Sequence, residues 1–223
     1  MVQNNFDIIK NFIKGNGISD PDIKESFRKG KGWSFDLRIG DEYFLSGSDT
    51  PENLDDNNQF IIIKPGKFGS LITKEKVCID NNHIGLISVK FAYKQKGLIN
   101  VSGFHVDPCY SGNIIFTVFN AGPKDIYIKR DDYVFMICFL ELKNNLEDVN
   151  SSIDNLNLKD FCNEGCSEGG YTSIPVGMIE GLGGNSLTLM ENNSRIERLE
   201  FYIKVMGGVA LGLIAVSLKN LFG

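Results

Sequence analysis

Gly97-Leu-Ile-Asn-Val-Ser-Gly-Phe-His-Val-Asp-Pro-Cys-Tyr-Ser-Gly-Asn113 sets short apolar runs around glycines and then turns sharply at Asp107-Pro108. Aspartate ahead of proline is good turn chemistry, because the proline ring disfavours helix for its neighbour and the carboxylate can bond nearby backbone. The stretch therefore reads as a Gly-rich β-hairpin followed by an Asp-x-x-Tyr-x-Gly turn. Such a turn can hold a nucleotide, with Asp107 under the sugar and Tyr110 stacked against it. It can equally be a turn and nothing more.

The same texture extends outward on both sides. From Trp33 to Leu142 short apolar runs are cut by Gly, Pro, Asn and Asp: Phe60–Ile63, Phe68–Ile72, Ile84–Val89, Asn113–Phe119, Ile126–Ile128 and Tyr133–Leu140. This spacing predicts an all-β barrel or sandwich and excludes alternating βα units. Ahead of it, Phe6 to Ile13 has helical periodicity and meets a stop at Gly15-Asn-Gly17. A second short helix is predicted from Pro21 to Arg28, with Asp20 as N-cap and Pro21 in its first position.

With 223 residues, 42% of them hydrophobic, the chain can bury one substantial core and has room for one appendage. A net charge of −5 and a pI near 5.1 exclude a general electrostatic pull toward nucleic acid polymers. Cys78, Cys109, Cys138, Cys162 and Cys166 are odd in number and scattered, a pattern that fits reduced thiols in a cytosolic domain. His83 and His105 lie far in sequence from Cys162-x-x-x-Cys166, so no metal site is expected. Met1 to Lys14 carries Asp7, Lys10 and Lys14 among its apolar residues, reading as an amphipathic surface helix rather than a signal peptide. The main domain is accordingly expected in the cytoplasm.

Beyond the β region, residues 144–193 read as a polar and then Gly-rich linker, and residues 194–223 as a C-terminal helix. Ser194 and Glu197 form a capping-box pattern, and Ile196, Leu199, Ile203 and Met206 recur at alternating three- and four-residue steps, a short coiled-coil seam. Val205 to Leu218 carries no charge, but alone falls short of the about 20 residues that span a bilayer. Counting from Phe201 to Phe222 suffices if Lys204 and Lys219 snorkel to the interfaces. Gly208-x-x-x-Gly212 offers a close-approach face of the kind used between membrane helices. The helix is thus expected either to anchor the chain in a membrane or to pack against sister subunits.

Four fragments in order resemble the trimeric dUTPase and dCTP deaminase superfamily, nearest its deaminase branch. Ser34-Phe-Asp-Leu-Arg-Ile-Gly40 resembles its Ser-Val-Asp-Leu-Arg-Leu-Gly strand entry, and Pro65-Gly66 its Pro-Gly turn. His105-Val-Asp-Pro-Cys-Tyr-Ser-Gly-Asn-Ile114 resembles the deaminases' His-x-Ile-Asp-Pro-Gly-x-x-Gly-Asn-Ile, and Asn120-Ala-Gly-Pro123 its Asn-x-Gly-Pro. The likeness covers roughly Asp7 to Leu142. It implies a mainly β fold, a distorted jelly-roll barrel of dUTPase type with N-terminal helices, assembled as a homotrimer with sites between subunits. It also implies a deoxynucleotide site, with nucleotide-binding residues Gly103, His105, Asp107, Tyr110 and Lys90. Asp107 would be the catalytic residue of an active member, bonding the 3′-hydroxyl and placing a water, with Mg²⁺ arriving on the nucleotide.

Several positions depart from that pattern. Where the family has Arg-Ser-Ser for the phosphates, this chain has Lys90-Phe-Ala92, and lysine is a point charge rather than a fork. Thr117 takes the place of the deaminase glutamate that shuttles protons, and a threonine cannot serve as that base. His105 stands where deaminases usually carry arginine, and Met136 where the family has glutamine. Glu180-Gly-Leu-Gly-Gly faintly resembles the dUTPase Gly-rich arm, but its arginine has become an acid that repels phosphate. The residues thus predict a catalytically degenerate, membrane-tethered trimer that senses a nucleotide or partner, or acts as a scaffold or membrane effector. The alternative is an active dUTP diphosphatase or dCTP deaminase.

Overall fold

The computed structural model describes residues 1–15, 18–143, 170–183 and 195–208. The chain divides into two compact units, Met1–Gly184 and Asn185–Gly223.

The first unit is mainly β, as its texture predicts. Its strands are β1 (Val2–Gln3), β2 (Ile13–Lys14), β3 (Phe35–Leu45), β4 (Glu52–Asn53), β5 (Phe60–Ile63), β6 (Phe68–Cys78) and β7 (His83–Val89). They continue as β8 (Leu98–Asn100), β9 (His105–Val106), β10 (Ser111–Asn120), β11 (Ile126–Lys129) and β12 (Tyr133–Glu141). One antiparallel sheet runs in the order β8-β10-β6-β3-β12-β7-β9, and β1, β2 and β4 pair onto β12, β6 and β3. β5 and β11 form a separate pair. In that pair Ile61, Ile63, Ile126 and Ile128 are buried, whereas Phe60, Ile62 and Tyr127 are exposed, the alternation expected of a half-buried strand.

The curl wraps the sheet around one apolar core, where Phe35, Leu37, Leu71, Phe116 and Phe135 are wholly buried. Phe116 and Phe135 stack with ring centroids 3.8 Å apart. Each such side chain contributes about 1.5–3 kcal/mol of transfer free energy. Register shifts fall between Asn113 and Ile115 on β10 and between Ile39 and Tyr43 on β3, opposite the same part of β6. Bulges on both flanks bend the sheet there.

The N-terminal elements differ from expectation. Helix α1 covers only Phe6–Ile9, with Asn5 Oδ1 accepting from the Asp7 N–H at 3.0 Å. A 3₁₀ turn follows, and Ile13 leaves the helix to pair with Val77, because a buried strand position satisfies both its side chain and its backbone. Helix α2 spans Asp20–Lys29, and Ser19 rather than Asp20 is its N-cap. Ser19 N and Oγ both donate to Asp22 Oδ2, at 2.9 and 2.6 Å. These bonds hold the Asp22 carboxyl below its ordinary range.

Two further expectations are corrected. Cys78 and Cys109 are each disulfide-bonded, so the scattered cysteines are not all reduced thiols; Cys138 is free. Cys162 and Cys166 lie outside the described residues. Part of the span read as linker is ordered against the core: Gly170 N donates to Ser111 O and Asn113 N to Tyr171 O, both at 2.8 Å. Ile174 is buried, and helix α3 (Val176–Gly183) follows. Gly112 and Gly170 allow this strap its approach, since a Cβ on Gly112 would meet Gly170 Cα at 2.4 Å.

In the second unit residues 195–208 are helical and include Gly208, while Gly212 lies outside the described residues. Ile196, Leu199, Ile203 and Met206, the predicted seam, are all exposed, and Glu200 faces Lys204 at 3.8 Å. Among the described residues no helix is long and apolar enough to cross a membrane.

Candidate functional site

The segment between β8 and β10 carries four of the predicted residues, Gly103, His105, Asp107 and Tyr110. Gly103 takes φ +108°, where a side chain would be strained, and its carbonyl accepts from Asn100 Nδ2. Asn100 Oδ1 in turn accepts from the Ser102 N–H at 3.2 Å and its hydroxyl at 2.8 Å. This local network fixes the tip. Downstream, β9 pairs with β7 and sends the His105 side chain outward, with Nε2 3.4 Å from Asp107 Oδ1. The Asp107 side chain is 79% exposed.

Tyr110 faces the other way. Its ring packs against the core, its hydroxyl donates to Asn113 O, and burial pushes the phenol pKa up. The turn therefore presents Asp107 and commits Tyr110 to the fold. Between them Cys109 holds φ +65°, a left-handed conformation that costs a non-glycine residue about 1 kcal/mol.

A cleft of ≈ 590 Å³ opens beside the hairpin, lined by Ile87, Ser88, Lys94, Asn100, Val101, Gly103 and Phe104. Phe91 and Phe104 are both strongly exposed. Lys94 Nζ donates to Ser88 Oγ at 2.7 Å and supplies the cleft's positive charge.

Lys90 is not part of this cleft. Its ammonium binds Asp36 Oδ2, a carboxylate on a residue only 3% exposed, and lies 5.8 Å from the Tyr133 ring. A buried carboxylate needs such a partner, so Lys90 is occupied by the fold. Thr117 sits on β10 with Oγ1 3.5 Å from Ser70 Oγ, and Met136 on β12 faces Asp36 and Ser88 across the ladders.

A charged cluster around the strand entry escaped the sequence reading of the site. Arg38 Nε and backbone N–H both donate to Glu75, each at 2.7 Å. Burial pushes the Glu75 carboxyl up, with Arg38 opposing. Lys29 Nζ stands 3.8 Å above the Tyr133 ring. Ser34 Oγ donates to Gly30 O at 3.3 Å. Ser34, just ahead of β3, and Asp36 and Arg38 within it are thus each tied to a different part of the chain. The Ser-x-Asp-x-Arg spacing signals this, since charges at alternate strand positions point to one face. Among the described residues no group of three or more His, Cys, Asp or Glu is placed to hold a metal.

The order of these parts along the chain is decisive: a profile described as dCTP deaminase-like matches residues 7–142. The chain belongs to the dCTP deaminase-like family. It is 25% identical over 126 residues to a dCTP deaminase of Thermococcus gammatolerans, covering 56% of this chain and 76% of that one. It is 25% identical over 177 residues to a Marinomonas dCTP deaminase, covering 69% and 90%. Among solved structures, a 2′-deoxycytidine 5′-triphosphate deaminase from Agrobacterium tumefaciens aligns with TM-score 0.47 and 13% identity, over 68% of this chain and 49% of that chain. Within the dCTP deaminase-like span, this chain presents Asp107 and His105 outward while Lys90 and Tyr110 serve the fold.

Proposed function

We propose that this dCTP deaminase-like chain binds a deoxynucleoside triphosphate at the Gly103–Asp107 hairpin and turns it over as a dCTP deaminase or dUTP diphosphatase. The observation that carries this reading is Asp107. Its carboxylate is presented to solvent, 3.4 Å from His105 Nε2. In this role Asp107 accepts a hydrogen bond from the sugar 3′-hydroxyl and orients a water, with the adjacent imidazole as a neighbouring hydrogen-bonding group. The apolar walls of the neighbouring cleft suit a flat base, and Lys94 suits the phosphates. Mg²⁺ would arrive on the triphosphate rather than reside in the protein.

A second reading, nucleotide binding without turnover, is favoured by the occupied Lys90 and by Thr117 at the position of the family's proton-shuttling glutamate. Dialysis calorimetry and steady-state assays of the full chain with dCTP and dUTP, with and without Mg²⁺, separate the two. Turnover that Asp107→Asn abolishes while binding persists supports the enzyme. Binding with no turnover supports the degenerate sensor, and no binding of either nucleotide refutes both.

The assembly proposed with this function is a homotrimer whose C-terminal helices associate along Ile196, Leu199, Ile203 and Met206, with Gly208 and Gly212 allowing close approach. The uncharged run Val205–Leu218 is proposed to tether it to a membrane from the cytoplasmic side. Light scattering and flotation with phospholipid vesicles test these two statements separately.

A further inference from the structure

We propose that Cys109 is a thiol–disulfide exchange site whose oxidation locks the turn that presents Asp107. The deaminase pattern places glycine after Asp-Pro, and this chain places Cys109 there instead. The backbone at that point still takes the left-handed φ of +65° that glycine adopts freely and other residues resist. The cysteine is therefore held there by its surroundings.

Those surroundings are visible. The ladder between β6 and β10, which pairs Cys78 with Ser111, runs on past its strand ends: Ile79 N donates to Tyr110 O at 2.9 Å and Cys109 N to Asp80 O at 3.2 Å. Cys78 and Cys109 are both buried, and each is disulfide-bonded. Within the turn Tyr110 N also donates to Asp107 O, over a long 3.4 Å. A disulfide at Cys109 thus fixes a residue that disfavours its own conformation, two positions from the exposed carboxylate. Once reduced, the turn loses its covalent tie and keeps three hydrogen bonds, of which two are long at 3.2 and 3.4 Å, so Asp107 loses its bearing.

The reductant is a dithiol. One of its thiolates attacks a sulfur of the Cys109 disulfide, and the other protein sulfur leaves as a thiolate and is protonated. The reductant's second thiolate then displaces the mixed disulfide. Two electrons pass to the protein, two protein thiols form, and the reductant leaves as a cyclic disulfide. Because Cys109 is buried, exchange follows local opening of the turn.

The test uses the full chain with and without dithiothreitol, as parent, Cys109→Gly and Cys109→Ser. Peptide mapping without reduction identifies the state of Cys109, metal analysis measures zinc, and hydrogen exchange reads residues 105–113. Cys109 is expected in a disulfide, with exchange in this peptide about tenfold faster on reduction of the parent. Cys109→Gly restores a residue that suits the φ and is expected to exchange slowly in both conditions, whereas Cys109→Ser is fast in both. Unchanged exchange in the parent, a dithiothreitol response surviving in Cys109→Gly, or Cys109 found as a free thiol or zinc thiolate overturns the proposal. The bearing on ligand binding rests on the nucleotide reading: reduction weakens dCTP or dUTP binding by the parent and leaves Cys109→Gly unaffected. Should no form bind nucleotide, that reading fails while the exchange data still decide the lock.

Discussion

Replacing Arg38 with methionine removes the guanidinium that lies 2.7 Å from a Glu75 carboxylate on a residue 3% exposed. The Arg38 backbone N–H remains on the other oxygen, but no counter-charge does. Breaking a buried pair from one side costs about 3–5 kcal/mol, because the surviving charge stays desolvated. For a chain of this size that loss is a fall in Tm of roughly 6–20 °C. The pH dependence gives a sharper test. Burial already holds the Glu75 carboxyl above its ordinary value, with Arg38 pulling it back, so the substitution raises it further. A raised folded-state pKa gives stability that is present below the unfolded value and lost as pH rises through the folded one. The deficit of Arg38→Met is therefore larger at about pH 8 than at about pH 4.5, which lies below the raised folded-state value. Adding Glu75→Gln should restore most of the loss at the higher pH. Urea denaturation of parent, single and double variants at both pH values measures this. A deficit under about 1 kcal/mol at pH 8, or one independent of pH, refutes the buried-pair argument.

Lys90→Met leaves Asp36 buried without its partner, so it should cost about 3–5 kcal/mol in urea melts, a loss that a surface phosphate ligand would not produce. Asn120 is wholly buried and bonds Ile63 O, Lys124 O and the Gly122 N–H. Asn120→Ala strands those groups and should destabilise by about 2–4 kcal/mol in the same assay. Gly112→Ala drives a methyl into the backbone of Gly170 and Tyr171. It should release the strap, which appears as faster proteolysis near residue 170 and a stability loss of about 1–3 kcal/mol. Asp107→Asn, at an exposed position, should change stability by no more than about 0.5 kcal/mol.

The strands were legible because their apolar runs are short, rich in Ile, Val and Phe, and bounded by Gly, Asn and Pro. Tyr133–Leu140 and Phe60–Ile63 need almost no adjustment. Phe68–Ile72 continues through Thr73-Lys-Glu-Lys76 to Cys78, because Glu75 is an inward-facing charge whose partner, Arg38, is remote in sequence. Charge alone looks like solvent exposure until the pairing is known. The same blindness hid Lys90, which reads as a phosphate ligand by position but answers to Asp36. Ile13 looked helical because local period cannot register its pairing with Val77. Gly170 looked like linker because glycine marks a close approach and a flexible segment alike. Of the candidate site, the presented carboxylate and the hairpin tip were readable from local turn chemistry, whereas side chains held by distant partners were not.

The sheet also dictates an order of events during synthesis. Val2 and Gln3 pair with Leu140 and Phe139, and Phe35–Arg38 pair with Ile137–Tyr133. At about 5–20 residues per second, the ribosome leaves the first strands without their neighbour for on the order of ten seconds. β3 and β6 can pair early, but the growing chain must carry one open, apolar edge until β12 emerges and seals both the N-terminus and β7 against it. The vulnerable species in the life of this protein is thus the nascent chain lacking its twelfth strand. Premature termination anywhere before Tyr133 should yield an aggregating fragment rather than a smaller version of the fold.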